Sequence, residues 1–224
     1  MKLNSRDANI WFIADTHYSH KNIVSATSMW ESREGCRDFD SIEEMNETII
    51  NNINKYVMAD DILFHLGDWS FGGIDNILKF RERLYAKTIY LVRGNHDKHI
   101  YVNKQVASPS DNKIIGTKEL FTSVHSYFEL AIDKQFIIMS HFPICSWNEM
   151  HKDSWMLHGH CHGTLFGDES SGHWYNKSKI LDVGIDNIFN MFGEYRPMNY
   201  NEIVKIMSKK YFISTDQHDE KTGR

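Results

Sequence analysis

Five short polar clusters punctuate the chain, each following an apolar run: Asp15-Thr16-His17, Gly67-Asp68, Gly94-Asn95-His96-Asp97, Ser140-His141 and Gly159-His160-Cys161-His162. This order constrains the fold more than any other feature. Buried strands must end near one another, and the place where they end must gather Asp, Asn and His side chains. Carboxylate, amide and imidazole donors together suit a pair of divalent cations, and such a pair suits hydrolysis of a phosphoester. Each cluster alone is weak, since Asp-x-His and Gly-Asp occur by chance and Gly-His-x-His fits a lone zinc site. Taken jointly they make a dinuclear centre the first expectation.

The runs between the clusters read as a layered α/β protein. Asn9 to Ala14 is almost continuously apolar, as in a strand covered on both faces. Ser41 and Glu44 stand at capping-box spacing, and Ile42, Met45, Ile49, Ile53 and Tyr56 then recur as one helical stripe. Ile62 to Leu66 predicts a strand, Ile74, Ile77, Leu78 and Leu84 a second helix, and Thr88 to Val92 a β-branched strand. Lys98 to Lys118, with Ser108-Pro109-Ser110-Asp111 at its middle, reads as an irregular excursion. Val124 to Ile132 and Gln135 to Met139 flank Asp133-Lys134, the pattern of an antiparallel hairpin. Trp155 to His158 and Ile180 to Val183 predict two further strands, Gly163 to Lys179 a loop, and Asn201 to Lys209 a last helix. The sum is an α/β/β/α sandwich of two mixed sheets flanked by helices. A single domain over 1–214 is expected, with a charged, disordered tail over 215–224.

Residues i and i+2 of a strand share a face. Asp15 and His17 are therefore expected to reach one ion with Thr16 turned away. His160 and His162 would do the same, with Cys161 directed to the opposite face for packing. Asp68 is the best bridge between two ions, because Gly67 lets the backbone approach closely. Asn95 offers a neutral oxygen and His141 an imidazole. This mixture suits two divalent ions, manganese first, with iron, zinc, nickel, cobalt or magnesium as alternatives.

Composition limits the remaining function classes. With 224 residues, 41% hydrophobic and a net charge of −5, the chain resembles an ordinary globular protein and has no general basic surface for long nucleic acid. Three cysteines with no framework spacing, a polar Met1–Asn9 and no long apolar run point to a reducing cytoplasm and no membrane span.

The five clusters, with Leu181-Asp182-Val183-Gly184-Ile185-Asp186 and Ser146-Trp147-Asn148, resemble the calcineurin-like metallophosphoesterases, most closely small bacterial and phage members, over nearly the whole chain. That resemblance implies Asp15, His17, Asp68 and His162 on one ion, and Asp68, Asn95, His141 and His160 on the other. It also implies His96 contacting the substrate phosphate and assisting the leaving group, Asp97 orienting the His96 ring, and in-line attack by a hydroxide that the ions share. His20, Arg37 and Arg93 are candidate substrate contacts, and His158 a candidate partner of a ligand carboxylate. Trp147 and Asn148 could shape a pocket. Thr16 and Asp38 depart from relatives that have Leu and Pro. Trp69-Ser70-Phe71-Gly72 and Asp97 replace the pattern of protein Ser/Thr phosphatases, which argues against that activity. A small phosphodiester or nucleotide is the expected substrate; a phosphomonoesterase, a nuclease or a non-catalytic scaffold are the alternatives.

Overall fold

A computed structural model describes residues 1–107, 112–165 and 174–211; the tail expected over 215–224 and the middle of the 98–118 excursion lie outside them. The first strands are β1 (Lys2–Leu3), β2 (Ile10–Ile13), β3 (Ile62–His65) and β4 (Thr88–Val92), with helices α1 (Ile42–Tyr56) and α2 (Ile74–Glu82) between them. Then come α3 (Lys98–Tyr101), β5 (Gln105–Ala107), β6 (Ile114–Gly116), β7 (Ser123–His125), β8 (Phe128–Ile132) and β9 (Gln135–Met139). The chain closes with β10 (Trp155–His158), β11 (Ile180–Asp182), α4 (Ile185–Phe192), β12 (Met198–Asn199) and α5 (Tyr200–Met207).

Two five-stranded mixed sheets form the centre, in the orders β12-β2-β3-β4-β7 and β1-β8-β9-β10-β11. Alternation along each strand sorts the apolar side chains into layers. Phe12, Phe64 and Val92 face inward against Leu130, Ile137, Met139, Leu157 and Leu181 of the other sheet. Ile13, Leu63, Ile89 and Leu91 face outward against Met45, Ile49 and Ile53 of α1 and Phe80 of α2. Each of these fully buried aliphatic side chains stabilises the fold by about 1.5–3 kcal/mol. Ile138, Met156 and Ile180 form the outer face of the second sheet, covered by Trp147, Met150 and Tyr175.

Helix α1 begins as its sequence predicts, with the Ser41 hydroxyl accepting the Glu44 amide at 3.0 Å, but the Glu44 carboxylate reaches back to the Asp40 amide rather than that of Ser41. The hairpin also forms, with Ile132 opposite Gln135 and a positive φ at Asp133 in the turn. Three expectations are corrected. Val124 to Ile132 is two strands: β7 runs parallel to β4 in one sheet and β8 belongs to the other, so the chain changes sheet at Ser126-Tyr127. The 98–118 excursion contains α3 and an antiparallel ladder of β5 with β6, whose short strands carry no alternation that a sequence pattern could detect. Helix α4, which follows β11 after only two residues, is absent from the sequence-based expectation; it is eight residues long and has no side-chain N-cap at Gly184 to announce its start.

The site is positioned by strand direction. β2, β3 and β4 are parallel, as are β9, β10 and β11, so six strand ends open on one region. The two sheets are stitched together there. Ala14, at the end of β2, donates to Val183 at 2.9 Å and accepts from Ile185 at 3.0 Å, both just beyond β11. The carboxyl ends of parallel strands are where α/β folds bind ligands, because the following loops are free to carry function.

Candidate metal centre

All seven expected ligands converge at this seam, although not by strand alternation. Asp15, His17, Asp68, His160 and His162 lie beyond the strand ends with φ values of 56°, 47°, 57°, 70° and 49°. Left-handed backbone at five non-glycine residues costs of order 1–3 kcal/mol each and persists where the surroundings enforce it. Here the enforcement is visible: Asp15 and His17 donate their amides to Gly67 and Asp68 carbonyls at 2.9 and 3.0 Å, and the His160 amide is held by the Asp15 carboxylate at 2.9 Å. Glycine is required where two of these turns meet. A Cβ on Gly67 would lie 2.5 Å from the Gly94 nitrogen, and one on Gly159 would lie 2.5 Å from an Asp15 carboxylate oxygen.

The ligand atoms fall into two groups, Asp15, His17 and His162, and Asp68, His141 and His160, each lying within 4.8 Å. Nε2 of His17 and Nε2 of His162 face each other at 3.3 Å. His162 donates its Nδ1 hydrogen to Asp186 at 2.6 Å and His141 donates its own to the Leu66 carbonyl at 2.8 Å, so both Nε2 atoms present lone pairs to the centre. The His141 Nε2 points at the Asn95 amide oxygen, 3.0 Å away, and at the Asp68 carboxylate, 3.4 Å away. His160 Nδ1 is 3.1 Å from the same Asn95 oxygen. The second group reaches the first through Asp68, whose Oδ2 lies 3.7 Å from His17 Nε2.

A cation resolves this crowding. Lone pairs set against lone pairs and carboxylates repel unless a positive charge lies between them, and imidazole, carboxylate and amide oxygen are a fitting donor set for a divalent transition metal. Electrostatics agrees. Burial, then the charges of Asp182, Asp68 and Asp186, push the Asp15 carboxyl well above its usual range. Burial drives the His17 imidazole down. Burial also opposes ionisation of Asp68, but a proton shared with His141, whose own pKa Asp68 raises in return, outweighs this and holds the Asp68 pKa low; a cation at that point would take the proton's place.

Around the ligands, several expectations are revised. Asp97 does not orient the His96 ring: its two oxygens accept the amides of Asp68, Trp69 and Gly94 at 2.9, 3.0 and 2.7 Å, tying two ligand loops together. His96 stands exposed, its amide on Asp68 at 2.9 Å and its Nε2 3.9 Å from the Asp68 carboxylate. Arg37 is no substrate contact. It is buried, forks onto Asp186 at 2.7 and 2.8 Å, and donates to the Asp15 and Thr16 carbonyls. Arg93 stacks over Tyr101 at 4.0 Å and donates to Ser126. His20 caps the short turn at Lys21–Ile23 and packs on Phe71, and burial holds its pKa down at about 4. His158 meets Gly159 and Tyr175 rather than a ligand carboxylate. Trp147 is core, bonded to Ser154, and Asn148 bonds Glu129. Thr16 does turn away, onto His65 and the Trp69 carbonyl. Cys161 belongs to neither ligand group, and burial, then Asp182 and Asp15, push its thiol up to about 11.

Two supporting residues carried no assigned role in the sequence, Asp186 and His65. Asp186 sits in a matching segment at the end of β11, which is the only signal that could have found it. His65 is fully buried, accepting the Gly67 amide at Nδ1 and donating to Thr16. Burial lowers its pKa to about 3. Between the ordinary histidine value of 6.5 and about 3, the unfolded chain therefore binds a proton there that the folded chain refuses. Stability contributed by neutral His65 is complete above the ordinary value and falls by about 1.4 kcal/mol per pH unit below it. Urea unfolding of chelator-treated protein at pH 7 and 5 should show this slope, and His65→Gln should reduce it by about one proton's worth.

A calcineurin-like phosphoesterase family model matches residues 8–209. The chain belongs to that family. An uncharacterized protein of Methanocaldococcus jannaschii is 29% identical over 209 residues, covering 92% of this chain and 95% of the relative. The gene 66 protein of Mycobacterium phage L5 is 23% identical over 201 residues, covering 80% and 87%. Among solved structures, a protein of unknown function from Aquifex aeolicus shares the fold, with TM-score 0.55, 20% identity and coverage of 89% and 99%. Family membership and the two ligand groups support divalent metal binding. Among the described residues, no helix is long and apolar enough to cross a membrane.

Proposed function

We propose that this member of the family is a phosphoester hydrolase with a dinuclear metal centre, acting on a small phosphodiester or nucleotide. One observation carries the proposal: two groups of ligands meet at Asp68 directly beneath an exposed histidine, His96, that is itself no ligand. Asp15, His17 and His162 would hold one ion and Asn95, His141 and His160 the other, with Asp68 between them. Divalent ions bound there supply positive charge for phosphoryl oxygens and lower the pKa of water from 15.7 to about 7.

The chain's own residues do the remaining work. Asp186 and the Leu66 carbonyl fix the tautomers of His162 and His141, so both rings present Nε2 inward. Asp97 holds the Gly67 and Gly94 loops in mutual register, keeping Asp68 and Asn95 in place. His96 would give a proton to the departing ester oxygen, a role supported by its exposure and by its distance of 3.9 Å from the Asp68 carboxylate. No Ser, Thr or Cys nucleophile is required.

Hydrolysis of bis-p-nitrophenyl phosphate and of p-nitrophenyl phosphate, with added manganese and after chelation, tests the proposal. Manganese-dependent release from the diester, abolished by chelator, is the expected result. Absence of turnover on either ester with any of the six candidate metals would favour a scaffold.

A further inference from the structure

We propose that the cavity beside the metal centre is a subsite for a planar aromatic group, so that the ester substituent of the substrate is a nucleoside. This rests on the phosphoesterase reading above and specifies what surrounds the phosphate. A cavity of about 340 Å³ opens over His17, His96 and His162 and is walled by His20, Phe71 and Trp30. A group attached to a phosphate at His17 and His162 and within reach of His96 has this space to extend into. The volume accommodates a single ligand of nucleoside size.

The wall is built rather than accidental. The Phe71 ring packs edge-on to His20 at 3.7 Å and lies 4.5 Å from His96. His20 is held in place through its Nδ1, which accepts the Ile23 amide at 3.0 Å, so its ring is fixed against Phe71. Trp30 stands opposite, 5.9 Å from His20, with 46% of its surface exposed. Its loop is pinned: Trp30 donates its amide to Ser28, and Arg33 donates to the Ser28 and Trp30 carbonyls. A large indole held out from the surface beside a reaction centre offers a stacking face, and planar bases are the phosphoester substituents best matched to it.

Glu34 lines the same cavity. Its carboxylate accepts from an exocyclic amine and repels a second phosphate, which favours an amino-bearing base on an otherwise uncharged substituent. The larger cavity, about 660 Å³, lies behind His162 against Arg37 and Asp186 and touches neither His17 nor His96, so it does not adjoin the reacting group in the same way.

Isothermal titration of manganese-supplied protein with AMP and with ribose 5-phosphate tests the subsite without depending on turnover. AMP should bind about 5- to 150-fold more tightly, the range that one base–aromatic stack provides. Trp30→Ala should bring the ratio close to one, and Trp30→Phe, which keeps a ring, should retain much of it. Equal affinities in the wild type, or a ratio unchanged in Trp30→Ala, would overturn the inference while leaving nitrophenyl ester hydrolysis intact. A protein that binds neither compound and hydrolyses neither nitrophenyl ester would take both readings down together.

Discussion

Replacing Asp68 with Asn should abolish measurable phosphoester hydrolysis and lower the metal content of the purified protein. One oxygen of Asp68 faces an Nε2 from each ligand group, 3.7 Å from His17 and 3.4 Å from His141. Its other oxygen accepts the His96 amide, so the same side chain seats the proposed proton donor. Loss of an outer partner of a metal ligand costs about 10–100-fold in affinity or activity. Loss of a shared ligand must cost more, since both ions are affected and the lone pairs of His17 and His141 lose the anion that makes their pocket attractive to a cation. Elemental analysis and steady-state rates on the same preparation check the result. Wild-type metal content and rate in Asp68→Asn would remove the bridging assignment.

Arg37→Met should destabilise the metal-free protein by about 3–5 kcal/mol, the usual cost of removing one partner of a buried ion pair. Arg37 is 1% exposed and gathers four acceptor oxygens: both of Asp186 and the Asp15 and Thr16 carbonyls. Burial opposes its charge, but the Asp186 carboxylate outweighs this and raises its pKa; in return, Arg37 overcomes the burial of Asp186 and holds that carboxyl far below its usual range. The methionine would leave Asp186 as an uncompensated carboxylate and free two carbonyls of the loop that carries Asp15 and His17. Because Asp186 also orients His162, metal affinity should fall along with stability. Urea unfolding after chelation gives the first quantity and calorimetric titration with manganese the second. A change below about 1 kcal/mol would show the pair to be dispensable. Restoring part of the loss with Asp186→Leu on the Arg37→Met background would identify the stranded charge as the cause.

Arg37 also shows where sequence alone stops. An arginine near a metal motif reads naturally as a phosphate contact, and only the fold reveals that its partner, 149 positions away, consumes its charge. Asp97 is similar. Next to His96 in sequence, it suggests a ring partner, yet its oxygens face three backbone amides because the Gly67 and Gly94 loops cross at that point. The strand ends and the convergence of Asp, Asn and His side chains beyond them were legible because burial forces apolar runs and leaves polar residues to follow them. The two-sheet architecture was legible from the same runs, with the break between β7 and β8 hidden because no glycine or proline interrupts Val124 to Ile132. The left-handed backbone at Asp15, His17, Asp68, His160 and His162 was not legible, since those residue types do not declare it and strand alternation predicts the same convergence by another route. Tertiary hydrogen bonds between the loops hold it in place.

The most direct measurement is the number of divalent ions bound per chain. Elemental analysis and calorimetric titration of chelated, desalted protein with manganese should reach two ions per molecule, with Asp68→Asn falling short of that value. Saturation at one ion or none, in protein shown to be folded, would contradict the pairing of the Asp15–His17–His162 and Asp68–His141–His160 groups on which the account depends.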